Sequence, residues 1–309
     1  MAKVDQHAVS RFYLQRFASV TGNQILWQYD KHAGIKKRPK MISPKAATTE
    51  RYLYSVQRPD GTWDDTLEDA FSKLESLSAP SLKELVEGRE ISAYSRLMLS
   101  VFIGAMFLKV SGPREHAERA KSRMETPEAT IAFTKEKFDR LRRKIPEAEI
   151  IRFIEDVQQR GKGVTMPKNY HLDNVFERAV NIAGRIENMR WIVAKAPKGT
   201  CFITSDTPAF CRRPVTPFDE RMVGLDRDDL KVELGFPLSS ERFLIAKWGD
   251  GPRLKFEKVS KSRVDALNLR TVLSANRHVF SPVRSDYIAE LVAEHSDFRM
   301  ELFMQNPGL

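Results

Sequence analysis

The first side chain of this chain that titrates near neutral pH is His7, which follows Gln6 and precedes Ala8-Val9-Ser10-Arg11-Phe12-Tyr13-Leu14. Imidazole titrates near pH 6.5, so His7 suits a general base or a metal ligand, and the adjacent Gln6 amide could orient a substrate or a water. The structural alternative is a histidine that bonds a backbone carbonyl and pins the start of the chain. Glu68 and Glu75 are seven residues apart. Two helical turns bring them to nearly one face, about 10 Å apart along the axis. Leu67, Phe71 and Leu74 flank them, which would partly desolvate either carboxylate and raise its pKa. The alternative is an ordinary helix edge paired with basic side chains. Asp206 lies in Ser205-Asp206-Thr207-Pro208, directly after an apolar run. A strand end that hands a polar residue to a loop is a common place for a site. Asp206 could bind Mg²⁺ or Mn²⁺ through oxygen or position a water; equally, it could close an Asx turn ahead of proline.

Other residues fit binding better than bond-making. Ser205 lacks the Gly-x-Ser-x-Gly elbow of a nucleophile and counts as a binding residue. Asn268 precedes Thr271 on a predicted helix and could bond a loop backbone or a ligand. Arg11 and Tyr13 join Gln6 as binding candidates near the start. The run Lys36-Lys37-Arg38-Pro39-Lys40 can neutralise phosphates or form a solvated hairpin tip. Asn276-Arg277-His278 lacks the spaced histidine and asparagine of a His-Asn-His nuclease. Cys201 and Cys211 have no histidine at ligand spacing and read as core residues. Phosphate cradles of the Walker or Gly-x-Gly-x-x-Gly type are absent.

The elements that must hold these residues can be read from periodicity. A helix is expected over Asp5 to Phe17, and a hairpin from Gln24–Tyr29 through Lys31-His32-Ala33-Gly34 to Ile35–Arg38. A third strand spans Arg51–Val56. Helices follow from Asp64 or Asp65 to Leu77, from Pro80 onward, and from Ser92 to about Val110. Three more are expected at about 113–125, 127–144 and 146–160, then a long one over Leu172–Met189. Strands return at Arg190–Ala194, Thr200–Thr204, Val232–Gly235, Phe243–Ala246 and Leu254–Val259. Ser260 caps a helix, His278–Ser281 is a strand, and Ser285–Glu294 a final helix. Strands at both ends with helices between predict an α+β fold, with a helix-rich middle and a mixed or antiparallel sheet built from N- and C-terminal strands. One domain is expected over 1–309, comprising an N-terminal helix and hairpin (1–60), a helical region (61–190) and a C-terminal α/β region (191–309).

Composition excludes several classes. The 309 residues are 41% hydrophobic and 30% charged, near globular averages, and two cysteines are too few for a disulfide framework. The most apolar stretch, Leu97–Leu108, is shorter than a membrane span and reads as a core helix. A cytoplasmic protein with reduced thiols is expected. Lys and Arg total 51 against 41 Asp and Glu, a net charge of +10, of which residues 1–60 contribute +7.

Four local patterns carry a family resemblance: Gln6-His7-Ala8-Val9-Ser10-Arg11-Phe12-Tyr13-Leu14-Gln15-Arg16-Phe17; the helix with Glu68 and Glu75; Trp191 followed by Phe202-Ile203-Thr204-Ser205-Asp206-Thr207-Pro208; and Phe236-Pro237-Leu238-Ser239 followed by Asn268. Together they resemble DUF4238, a domain-of-unknown-function family of bacterial and phage proteins. Its members typically open with Gln-His-x-x-Pro-x-x-Tyr-Leu-x-x-Phe and carry Phe-Ile-Thr-Ser-Asp-Asn-Pro. Ser10 stands where proline is usual, and Thr207 where asparagine is. The resemblance implies a shared fold and transfers no activity.

Two functional expectations result. One is a domain that binds nucleic acid or another anionic ligand, with the motif residues serving as structure. The other is a metal-dependent, nuclease-like phosphodiesterase in which His7, Glu68 or Glu75, and Asp206 converge.

Overall fold

The computed structural model describes residues 4–19, 24–33, 38–58, 60–109, 175–212 and 232–297. All of these belong to one compact unit formed by Met1–Gly112 and Asn174–Leu309. The helices expected between 113 and 160 lie outside the described residues, as do Lys36 and Lys37.

The chain opens as a strand where a helix was expected. Asp5–His7 (β1) pairs antiparallel with Thr49–Arg51 (β4), with Gln6 opposite Glu50. Helical backbone is confined to Arg11–Leu14 (α1) and a 3-10 turn at Gln15–Phe17. The reason lies at Gln6, whose buried amide joins the Tyr54–Ser55 segment while its backbone sits in a ladder. Ser10 is still extended and forms the boundary. Tyr13, Leu14 and Phe17 then turn into the core.

Two larger sheets carry the fold. Leu26–Asp30 (β2), Lys40–Ile42 (β3), Thr204–Ser205 (β8) and His278–Ser281 (β13) form an antiparallel sheet in the order β3-β2-β13-β8. N-terminal and C-terminal strands therefore share one sheet. β2 pairs with β3; of the expected return strand Ile35–Arg38, residues 35–37 lie outside the described residues. Arg190–Lys195 (β7), Phe210–Arg212 (β9), Glu233–Ser239 (β10), Arg242–Lys247 (β11) and Leu254–Lys258 (β12) form the second sheet, ordered β12-β7-β11-β10-β9, in which β12 runs parallel to β7. Pro237 is tolerated inside β10 because the register shifts between Pro237 and Ser239, a bulge that frees it from donating to the ladder. Val56–Gln57 (β5) and Trp63–Asp64 (β6) make a small hairpin. With helices Thr66–Glu87 (α2), Ala93–Lys109 (α3), Val175–Asn188 (α4), Lys261–Ser274 (α5) and Asp286–Glu294 (α6), the fold is α+β.

The helix expected to stop near Leu77 and the one expected to begin at Pro80 are a single helix, α2, with Pro80 inside it. Phe71, Leu74, Ser78, Ser81, Leu82 and Leu85 form one buried stripe that runs through the proline. Burial of that stripe outweighs the one hydrogen bond the proline forfeits. α5 belongs to both larger sheets. Val264 and Leu267 pack with Phe202, Phe210 and Phe243 of the five-stranded side, whereas Val272 packs with Tyr29, Val279 and the α6 residues Ile288 and Val292. Its start is capped as expected, the Ser260 hydroxyl accepting the Arg263 amide at 3.2 Å.

Candidate functional site

The residues singled out by their chemistry act mainly as staples between distant segments. The Gln6 side chain donates to the Ser55 hydroxyl and accepts the Tyr54 amide, and the Ser55 hydroxyl passes on to Asp65 at 2.5 Å, at the start of α2. Both ends of a buried amide are thus used, which anchors β1 to the β5 side of the module. His7 is half-buried, and its Nε2 donates to the Lys45 carbonyl at 2.9 Å. That bond clips the turn before β4 onto β1.

Ser10 is fully buried; its hydroxyl donates to the Glu75 carboxylate and faces the Met106 sulfur at 3.8 Å. Glu75 therefore joins α2 to the chain ahead of α1. Glu68, half-buried, lies in the first turn of α2, where a carboxylate meets the positive end of the helix dipole. Tyr13 is fully buried, its hydroxyl 2.8 Å from both the Thr204 hydroxyl and the Pro237 carbonyl. It links the four-stranded sheet at β8 to the five-stranded sheet at β10. Burial pushes its phenol well above the usual range. Arg11 and Arg38 are exposed.

Asp206 is engaged on both carboxylate oxygens. It is 8% exposed. Its Oδ1 accepts the Asn276 amide at 2.9 Å, and its Oδ2 accepts the amides of Arg277 at 2.8 Å and His278 at 2.9 Å. Its own amide donates to the His278 carbonyl at 2.9 Å. Burial pushes the carboxyl up to about 6, while the three amides and the Lys31 ammonium pull it down. Ser205, fully buried, accepts the Thr207 amide at 3.1 Å and closes the turn from the other side. Asn268 completes the frame, its Oδ1 accepting the Ile203 amide at 3.1 Å and its Nδ2 donating to the Cys201 carbonyl at 2.9 Å. The carboxylate proposed from sequence to hold a metal thus spends its oxygens on the turn that follows α5. Among the described residues, no group of three or more His, Cys, Asp or Glu side chains is placed to hold a metal ion.

Sequence reasoning missed Lys31, a buried lysine that reads locally as part of a turn. Its ammonium donates to the carbonyls of Val272, Leu273 and Ala275 at 3.0, 3.3 and 3.1 Å. These belong to the C-terminal end of α5, where orphan carbonyls and the helix dipole favour a cation. Asp206 holds the amides just beyond the same helix end, so acid and base clasp one turn from opposite polarities. Outside the clasp, Arg277 bridges to Asp30 at 3.2 Å. A lone lysine after a strand carries no sequence signal for such a role. The stacked pair Tyr52 and Trp63 was missed too. Arg51-Tyr52-Leu53-Tyr54 reads as part of one strand, and only the aromatic beside a basic residue could have drawn notice.

Cys201 and Cys211 are free thiols, and burial pushes Cys211 up to about 12, which keeps it protonated and inert. Among the described residues no helix is long and apolar enough to cross a membrane. The chain has no match among curated proteins or solved structures. One family matches, over residues 5–285, a span that takes in Gln6, Ser10, Tyr13, Lys31, Asp206 and Asn268. This chain belongs to that family, DUF4238, described as proteins of unknown function.

Proposed function

We propose that this chain is a non-catalytic domain that binds nucleic acid or another anionic ligand, with its motif residues serving as the frame. The observation that carries the non-catalytic part is the engagement of Asp206: both oxygens accept backbone amides, three in all, so the strongest catalytic candidate is committed to folding. The anionic partner follows from the charge. The net excess is +10, and the exposed Arg38, Lys40, Lys45 and Arg51 follow one another along the first segment.

The test is fluorescence anisotropy with labelled single-stranded and duplex oligonucleotides, followed by gel analysis after incubation with Mg²⁺ or Mn²⁺. Binding that weakens steeply with salt and leaves the strands intact is expected, and the His7→Ala variant, which unclips the Lys45 turn, should melt at a lower temperature. Strand cleavage that His7→Ala abolishes would instead favour the phosphodiesterase reading, in which His7 works with Glu68 or Glu75 and Asp206.

A further inference from the structure

Directly after β4, Tyr52 has φ +52°, and among the described residues no other non-glycine has a positive φ. A bulky side chain rarely occupies that region, and residues held there against their preference often serve a ligand. The Tyr52 amide donates to the Val4 carbonyl at 2.9 Å, which fixes the strained turn to the strand opposite. Its ring then stacks on Trp63 of β6, centroids 4.0 Å apart and planes 4° from parallel. The Arg51 guanidinium stands 5.8 Å from the Tyr52 centroid. Both rings are half-buried and Arg51 is exposed. Gln6 supports this geometry through Tyr54 and Ser55, between the two rings in sequence.

Glu50 adjoins Arg51 and Asp5 stands opposite it in the ladder, whereas two acids of the β5–β6 hairpin are turned onto other groups. Asp64 accepts the Thr66 amide at 2.9 Å and Arg58 at 3.0 Å, and Asp60 accepts the Thr62 amide at 2.9 Å. Residues 1–60 hold 11 Lys and Arg against 4 Asp and Glu. Aromatic rings next to a guanidinium, on a segment with surplus positive charge, match the chemistry of an unpaired base and its phosphates.

We propose that Tyr52 and Trp63, with Arg51, form a stacking platform for a base of single-stranded nucleic acid, whose phosphates meet Arg51 and the exposed Lys40 and Lys45. This rests on the binding reading above and names its substrate class. Stacking tolerates any base, so the platform discriminates single strands from duplexes rather than one sequence from another.

The experiment compares, by anisotropy on the full chain, a labelled oligothymidine of about 20 nucleotides with an abasic strand of equal length. The wild type should bind the base-bearing strand about tenfold more tightly or better. Tyr52→Gly, which removes the ring and suits the backbone, should erase that preference, as should Trp63→Ala. Trp63→Phe should retain most of it. Equal binding of both strands by the wild type, or a preference that survives in a folded Tyr52→Gly variant, would overturn the platform while leaving a charge-driven binding domain. Failure of the wild type to bind either strand would overturn the binding reading itself.

Discussion

Asp206 shows what a single carboxylate does when backbone amides surround it. Replacement by alanine strands three part-buried N–H donors, at roughly 1–3 kcal/mol each when left unsatisfied. Asp206→Ala should therefore destabilise the fold by about 3 kcal/mol or more, measured from the urea midpoint at constant slope. The same group should shape the pH dependence. Burial raises the folded carboxyl to about 6 from an ordinary value of 3.8, so between those limits the folded state binds more protons than the unfolded one. Its contribution is complete below about pH 3.8 and is lost as pH rises through about 6. Relative to Asp206→Asn, the wild type should thus lose up to about 3 kcal/mol between pH 4 and 7; a difference that stays flat in urea titrations would refute this. The Asx alternative had the carboxylate capping its own backbone before proline, but Ser205 closes that turn instead. The amides Asp206 captures come 70 residues later, a partnership no local pattern encodes.

Helix ends explain several buried cations. Lys31 meets the last carbonyls of α5. Arg96 donates to the carbonyls of Glu187 at 3.0 Å and Met189 at 2.5 Å at the end of α4, and its guanidinium lies 4.1 Å over the Trp191 ring. Burial pulls Arg96 down to about 10, which still leaves it charged. Arg242 donates to the Val86 carbonyl at 3.2 Å at the end of α2, where Gly88 takes a left-handed φ of +81°. A Cβ at Gly88 would come within 2.9 Å of the Arg242 guanidinium, the end of a flexible side chain, so it is the left-handed φ that calls for glycine. Each cation stands on a different element from the helix it closes, and so doubles as an inter-element tie. Lys31→Met should cost about 3 kcal/mol, since it removes a charge-assisted donor from buried carbonyls. Hydrogen exchange should quicken in the last turn of α5 before the rest of the helix; uniform protection there would count against the tie. The elements themselves were largely legible. β13, the Ser260 cap and the span of the final helix follow from local pattern. The first helix and the break at Pro80 did not, because a sheet partner and a buried stripe overruled local propensity.

At the scale of the molecule, basic side chains of two kinds stand out among the described residues. Lys31, Arg96 and Arg242 are buried against carbonyls and cannot reach a ligand. Arg38, Lys40, Lys45 and Arg51 are exposed and can. Replacing Lys40 and Lys45 by alanine should therefore reduce the slope of log K against log salt by about 0.7 for each single-strand phosphate that is no longer neutralised. Lys31→Met should leave that slope unchanged in the fraction that folds. An unaltered slope in the double variant would place the phosphates elsewhere on the surface. Composition and periodicity were enough to specify an α+β fold with strands at both ends, because hydrophobic spacing and caps are properties of short segments. Which carboxylate meets which amide, and which cation is spent inside, depended on bringing Lys31, Asp206 and the residues after α5 together. Those pairings join positions far apart in the chain, and their partners are backbone groups that every residue possesses, so side-chain identity alone could not have marked them.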